Sequence, residues 1–171
     1  MPVPATSRAV GALVLVAGLV ATGSASAAGK AAPDFSLRDL NNVTQTLSQY
    51  KGKVVVLDFW ATWCGPCKIE IPHLQAMYTE LGAKGLVVIG ISADDARSSS
   101  QVKPVAMSLG ITYPVLQDKD SAVVSQYDPA KTLPYTVVVD KAGNIATVFS
   151  GYNAGDEVKV QAAVTALLGQ P

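Results

Sequence analysis

The chain has 171 residues, with 13 Lys plus Arg against 13 Asp plus Glu and a charged fraction of 15%. A neutral balance argues against nucleic acid as a partner, because phosphate binding needs a basic surplus or patch. Apolar residues make up 49%. Only Ala9 to Gly29 is a long uncharged stretch, and the remainder, roughly 140 residues, is enough to bury one core without staples. The two Cys therefore need a reason other than holding up a small fold.

Arg8 precedes an apolar run, Ala9 to Ala21, which is followed by small residues from Thr22 to Gly29. This is the layout of a secretory signal peptide, with cleavage expected after Ala27 or Ala28. An uncleaved anchor is the alternative, because the stretch just reaches across roughly 30 Å of hydrocarbon. Either way, residues 29–171 form the globular domain and lie outside the cytoplasm.

In chain order, Phe35 to Leu37 and Val43 to Leu47 flank an Asn41-Asn42 turn signal and predict a short hairpin. Val54 to Trp60 and Leu86 to Ser92 are β-branched and aromatic runs with little alternation, as expected of strands buried on both faces. Between them, Ile71, Leu74, Met77, Tyr78 and Leu81 recur at three and four, which predicts an amphipathic helix over Cys67 to Ala83, ended by Gly82 and Gly85. The pattern then predicts a polar-faced helix from Asp95 to Leu109, a short strand from Tyr113 to Leu116 and a short helix from Ser121 to Tyr127. Tyr135 to Asp140 and Asn144 to Phe149 read as a hairpin across Lys141-Ala142-Gly143, and Asp156 to Leu168 as the closing helix.

Trp63-Cys64-Gly65-Pro66-Cys67 directly follows a buried strand and opens the amphipathic helix. Residues three apart lie on one side of a helix, so the two sulfurs reach disulfide distance. Cys64 falls at the helix N-terminus, where unpaired N–H groups favour a thiolate, and Cys67 one turn in is the natural resolving thiol. A purely structural disulfide across so short a loop would constrain the unfolded chain little. A zinc site lacks ligands: there is no third Cys, and His73 lies about 240° around the helix from Cys67. Haem attachment needs His after the second Cys, where Lys68 stands. No metal and no cofactor are expected.

At these residues, and over Val54 to Leu74, the sequence resembles the thioredoxin superfamily and its cell-envelope reductases of the TlpA/ResA type. The resemblance runs from Ala32-Pro33-Asp34-Phe35 to Leu133-Pro134-Tyr135-Thr136. It implies an α/β thioredoxin-like fold, a mixed central sheet flanked by helices, with an N-terminal hairpin and an α/β insertion at about 93–132. It further implies an exported or tethered reductant of protein disulfides. Apocytochrome c is among the implied clients and a membrane thiol transporter is the implied electron donor, with the protein itself a monomer. Gly-Pro between the cysteines resembles the reducing thioredoxins, at about -270 mV, rather than the oxidant at about -120 mV.

Asp58 sits on a strand expected to be buried, so desolvation raises its pKa, and it matches the acid that exchanges a proton with the second cysteine in thioredoxins. A hydrogen-bonded structural Asp is the other reading. Glu70 matches an acidic position that tunes the thiols in the envelope reductases, or is a solvated surface charge. Pro134, after Leu133, matches the family's cis-proline, which with Trp63, Gly65 and Pro66 would meet an incoming peptide; an ordinary trans proline is the alternative. His73 has no assigned role. A thiol peroxidase of the peroxiredoxin type would need Pro and Thr where Leu57 and Ala61 stand. A non-catalytic peptide-binding module would have no use for the intact Cys pair.

Overall fold

The computed structural model describes residue 1 and residues 29–170. The expected leader, 1–28, lies outside the described residues apart from Met1. Strands β1 (Ser36–Arg38) and β2 (Thr44–Thr46) form a two-stranded antiparallel ribbon. The carboxylate of Asp39 accepts the N–H groups of Asn41 and Val43, closing its turn.

The remaining strands make one mixed sheet in the order β5-β4-β3-β6-β7, from β3 (Val54–Trp60), β4 (Leu86–Ser92), β5 (Val115–Gln117), β6 (Tyr135–Val139) and β7 (Ile145–Ser150). β3, β4 and β5 run parallel, while β6 and β7 are antiparallel to their neighbours. The uninterrupted Val54–Trp60 run occupies the middle of the sheet, and every residue of β3 is buried. Period-2 alternation splits it. Val54, Val56 and Trp60 pack under α1 (Gly65–Leu81), α2 (Val102–Ser108) and α4 (Asp156–Leu168). Val55, Leu57 and Phe59 pack on the other face with α3 (Ala122–Tyr127) and with Phe35 and Leu47, which flank the ribbon.

Most elements match the sequence expectation to within a residue, and three segments depart from it for reasons visible in the structure. α1 starts at Gly65 rather than Cys67, because Cys64 is its N-cap: the Cys64 sulfur accepts the N–H of Cys67 at 3.2 Å, as a Ser or Asp oxygen does elsewhere. Its end is set by Gly85, in the left-handed region at φ 105°, after a 3-10 turn that includes Gly82. The helix expected from Asp95 is confined to Val102–Ser108, preceded by a 3-10 turn. The Asp95 side chain instead accepts the N–H groups of Arg97 and Ser98, a local turn that competes with helix. The strand expected from Tyr113 begins at Val115, which leaves Tyr113 in the connection. The stretch 93–132 holds α2, β5 and α3.

Candidate redox site

Parallel β3 and β4 end together, with Trp60 opposite Ser92, and antiparallel β6 begins there, with Tyr135 opposite Phe59. Three segments meet at that edge: the start of α1, the loop after β4 and the Leu133-Pro134 segment. Cys64 and Cys67 form a disulfide, S–S 2.01 Å and Cα–Cα 5.4 Å. Cys64 keeps 5% of its surface and Cys67 none, so of the two cysteines Cys64 is the one a partner can reach. Gly65 and Pro66 open the helix, where the missing proline N–H loses no intrahelical bond. Trp63 stands out at 67% exposure, whereas Trp60 is in the core. The Leu133-Pro134 bond is cis, Leu133 is half-buried and Pro134 buried.

Asp58 is fully buried on the face of β3 that packs against α1, and neither carboxylate oxygen has a partner. Burial pushes its pKa well above the usual range, and the charge of Glu70 pushes it further. The Tyr113 hydroxyl acts in the opposite direction, though no hydrogen bond of normal geometry joins it to Asp58. The reading of Glu70 as a solvated surface charge is overturned, since it is only 3% exposed. Its position decides this: three after Cys67 and four before Leu74, it falls on the buried stripe of α1. The Thr136 hydroxyl donates to Glu70 Oε1 at 2.8 Å, and Thr136 is also the cross-strand partner of Asp58. Burial raises Glu70 to about 7, opposed by the Thr136 hydrogen bond and reinforced by the charges of Asp156 and Glu157. His73 is exposed and stacks on Tyr152.

The active-site loop has a support that spacing does not signal. Asp94, 1% exposed, accepts the Thr62 N–H at 2.8 Å, the Thr62 hydroxyl at 2.6 Å and the Ser92 hydroxyl at 2.8 Å. Ala93 donates to the Trp60 carbonyl at 2.8 Å. Thr62 and Asp94 are 32 residues apart, and only the β3-β4 pairing brings them together. Among the described residues no group of three His, Cys, Asp or Glu side chains is placed to hold a metal ion.

A buried strand, a redox-active Cys pair capping the next helix and a proline loop beside it define a thioredoxin-fold thiol-disulfide oxidoreductase. The chain belongs to the AhpC/TSA family, whose sequence profile matches residues 28–148. It is 32% identical over 136 residues to the thiol-disulfide oxidoreductase ResA of Geobacillus kaustophilus, covering 80% of this chain and 76% of that one. With ResA of Bacillus subtilis it shares 34% identity over 123 residues, 72% of this chain and 67% of that one. Among solved structures, a thioredoxin-family thiol:disulfide interchange protein from Chlorobium tepidum superposes with TM-score 0.72 at 26% identity, covering 85% of this chain and 100% of the other. The thioredoxin domain of a thiol-disulfide oxidoreductase from Bacteroides vulgatus gives TM-score 0.67 at 26% identity, covering 80% and 97%.

Proposed function

We propose that the protein is an exported reductant of protein disulfides, with Cys64 as nucleophile, Cys67 as resolving thiol and Asp58 as the proton acceptor of Cys67. The carrying observation is the Cys64–Cys67 disulfide at the N-terminus of α1, with Cys64 keeping 5% of its surface and Cys67 fully buried. In the reduced protein the Cys64 thiolate, favoured by the N–H groups of the first turn, attacks a client disulfide. One client sulfur leaves as a thiolate and takes a proton from water. Cys67 then yields its proton to Asp58 and attacks Cys64, releasing the second client sulfur. The client gains two electrons and the protein returns to the disulfide.

Glu70, sharing the inner face of α1 with Cys67, adds a charge that opposes ionisation of Asp58 and so tunes the pair. Trp63, Gly65, Pro66, Leu133 and Pro134 supply the surface on which the client segment rests. Apocytochrome c as client and a membrane thiol transporter as donor follow from the resemblance and complete the proposed cycle. A peroxidase gains no support from Leu57 and Ala61, both fully buried and without a hydroxyl.

The test is trapping. Cys67→Ser should accumulate mixed disulfides with client proteins on non-reducing gels, and Cys64→Ser should not. Both variants should lose insulin reduction with dithiothreitol. Trapping by Cys64→Ser instead would reverse the two roles, and undiminished insulin reduction by Cys64→Ser would sink the catalytic reading.

A further inference from the structure

Five of the seven buried polar atoms left without a partner among the described residues belong to Asp58, Trp60, Glu70 and Tyr113. All four residues lie on the side of the sheet covered by α1. Tyr113 comes in from the connection before β5, is 4% exposed, and packs edge-on against Tyr78 of α1 at 5.9 Å. Gly90 makes room for it. Gly90 is the cross-strand partner of Asp58 on β4, and a Cβ at that position would stand 3.2 Å from both Trp60 Nε1 and Tyr113 Cε2. The missing side chain is therefore a notch beside Asp58, filled by two residues that each carry an unused donor.

We infer that Tyr113 is the positioning residue of the proton relay: across the notch left by Gly90, its unpartnered hydroxyl is the group that donates to the Asp58 carboxylate once that carboxyl ionises. The inference rests on the proposed role of Asp58. During resolution the Cys67 S–H proton passes to Asp58, the freed Cys67 sulfur pair forms the Cys64–Cys67 bond, the Cys64–client bond breaks, and the client sulfur departs with the pair of the broken bond. Asp58 must be ionised at the start of this step, and a buried carboxylate without a donor is costly. Glu70, once ionised, opposes the charge of Asp58. The Thr136 hydroxyl is already given to Glu70. The titratable groups around Asp58 are Cys67 and Glu70 from α1 and Tyr113 from the β5 side, with Asp156 and Glu157 of α4 acting on Glu70. Of these, Tyr113 is the group whose hydroxyl favours the ionised Asp58 carboxyl and which holds no proton that the reaction moves.

The experiment is Tyr113→Phe, which keeps the ring against Tyr78 and removes only the hydroxyl. Stopped-flow reduction of a disulfide peptide between pH 6 and 9 would separate first attack from resolution. The acidic limb of the resolution profile should move to higher pH, with resolution near neutrality slowed about tenfold, one unit of pKa. The slowing should disappear in an Asp58→Asn background. In the oxidised protein the carboxyl stretch assigned by Asp58→Asn in difference infrared spectra should titrate at higher pH in Tyr113→Phe. An unshifted profile and stretch, or equal slowing with and without Asp58, would overturn the role of Tyr113 alone. Wild-type resolution in Asp58→Asn itself would overturn the relay, and this inference with it.

Discussion

Asp58 and Glu70 are two acids pressed against one redox centre, and they differ in how they are held. Glu70 has one oxygen satisfied by Thr136, while Asp58 has none satisfied. Since the folded pKa of Glu70 rises from 4.5 to about 7, the native state keeps a proton that the unfolded state releases. The stability this confers is fully present below about pH 4.5 and is lost as pH rises through 7, with an upper bound of roughly 3 kcal/mol. Asp58, raised for the same reason, adds to the same slope. Urea unfolding at pH 5 and pH 8 should therefore show the wild type weaker at pH 8, and Glu70→Gln should lose a large part of that difference. An undiminished difference in the variant would mean that Glu70 ionises freely in the fold.

At the scale of elements, the redox helix is held at its start by the neighbouring loop as well as by its own packing. Asp94, itself buried, gathers three donors from two segments, the half-buried Thr62 and the buried Ser92. Asp94→Ala would leave the Thr62 N–H and two hydroxyls without acceptors, and should destabilise the fold by about 2 to 4 kcal/mol. By contrast, Arg97 is 93% exposed in its ion pair with Asp95. Arg97→Ala should change the unfolding free energy, read from urea curves, by less than about 0.5 kcal/mol. Comparable losses in the two variants would show that the Asp94 hydrogen bonds are no stronger than a surface contact. α1 itself runs unbroken through Pro72, because its inner stripe of Cys67, Ile71, Leu74 and Met77 is anchored in the core on both sides of the missing N–H.

For the whole molecule, β3, β4 and β6 deliver a helix terminus, a braced loop and a proline segment to one edge of the sheet, leaving the opposite edge free of redox chemistry. Among the described residues no helix is long and apolar enough to cross a membrane. If the leader is removed as its sequence indicates, protein from the extracytoplasmic fraction should have an intact mass beginning at Ala28 or Gly29. Recovery of the chain from Met1 in the membrane fraction would instead identify the segment as an anchor.

The elements that local pattern decides were legible in the residues. Val54–Trp60 and Leu86–Ser92 coincide with the expected strands and Asp156–Leu168 with the expected helix, because long apolar runs and 3.6-residue periodicity leave few alternatives. The Cys pair was equally plain, since residues three apart at a helix start are neighbours in any fold. The burial of Glu70 was also within reach, for it lies on the same stripe as Cys67 and Leu74. Short segments with competing polar turns, such as Asp95 to Ser98, were misplaced, because side-chain hydrogen bonds there outweigh a weak helical pattern. Thr62 with Asp94, Asp58 with Thr136, and Tyr113 over Gly90 belonged to the tertiary structure alone. Each pair is far apart in the chain, and only strand register brings its members within reach of each other.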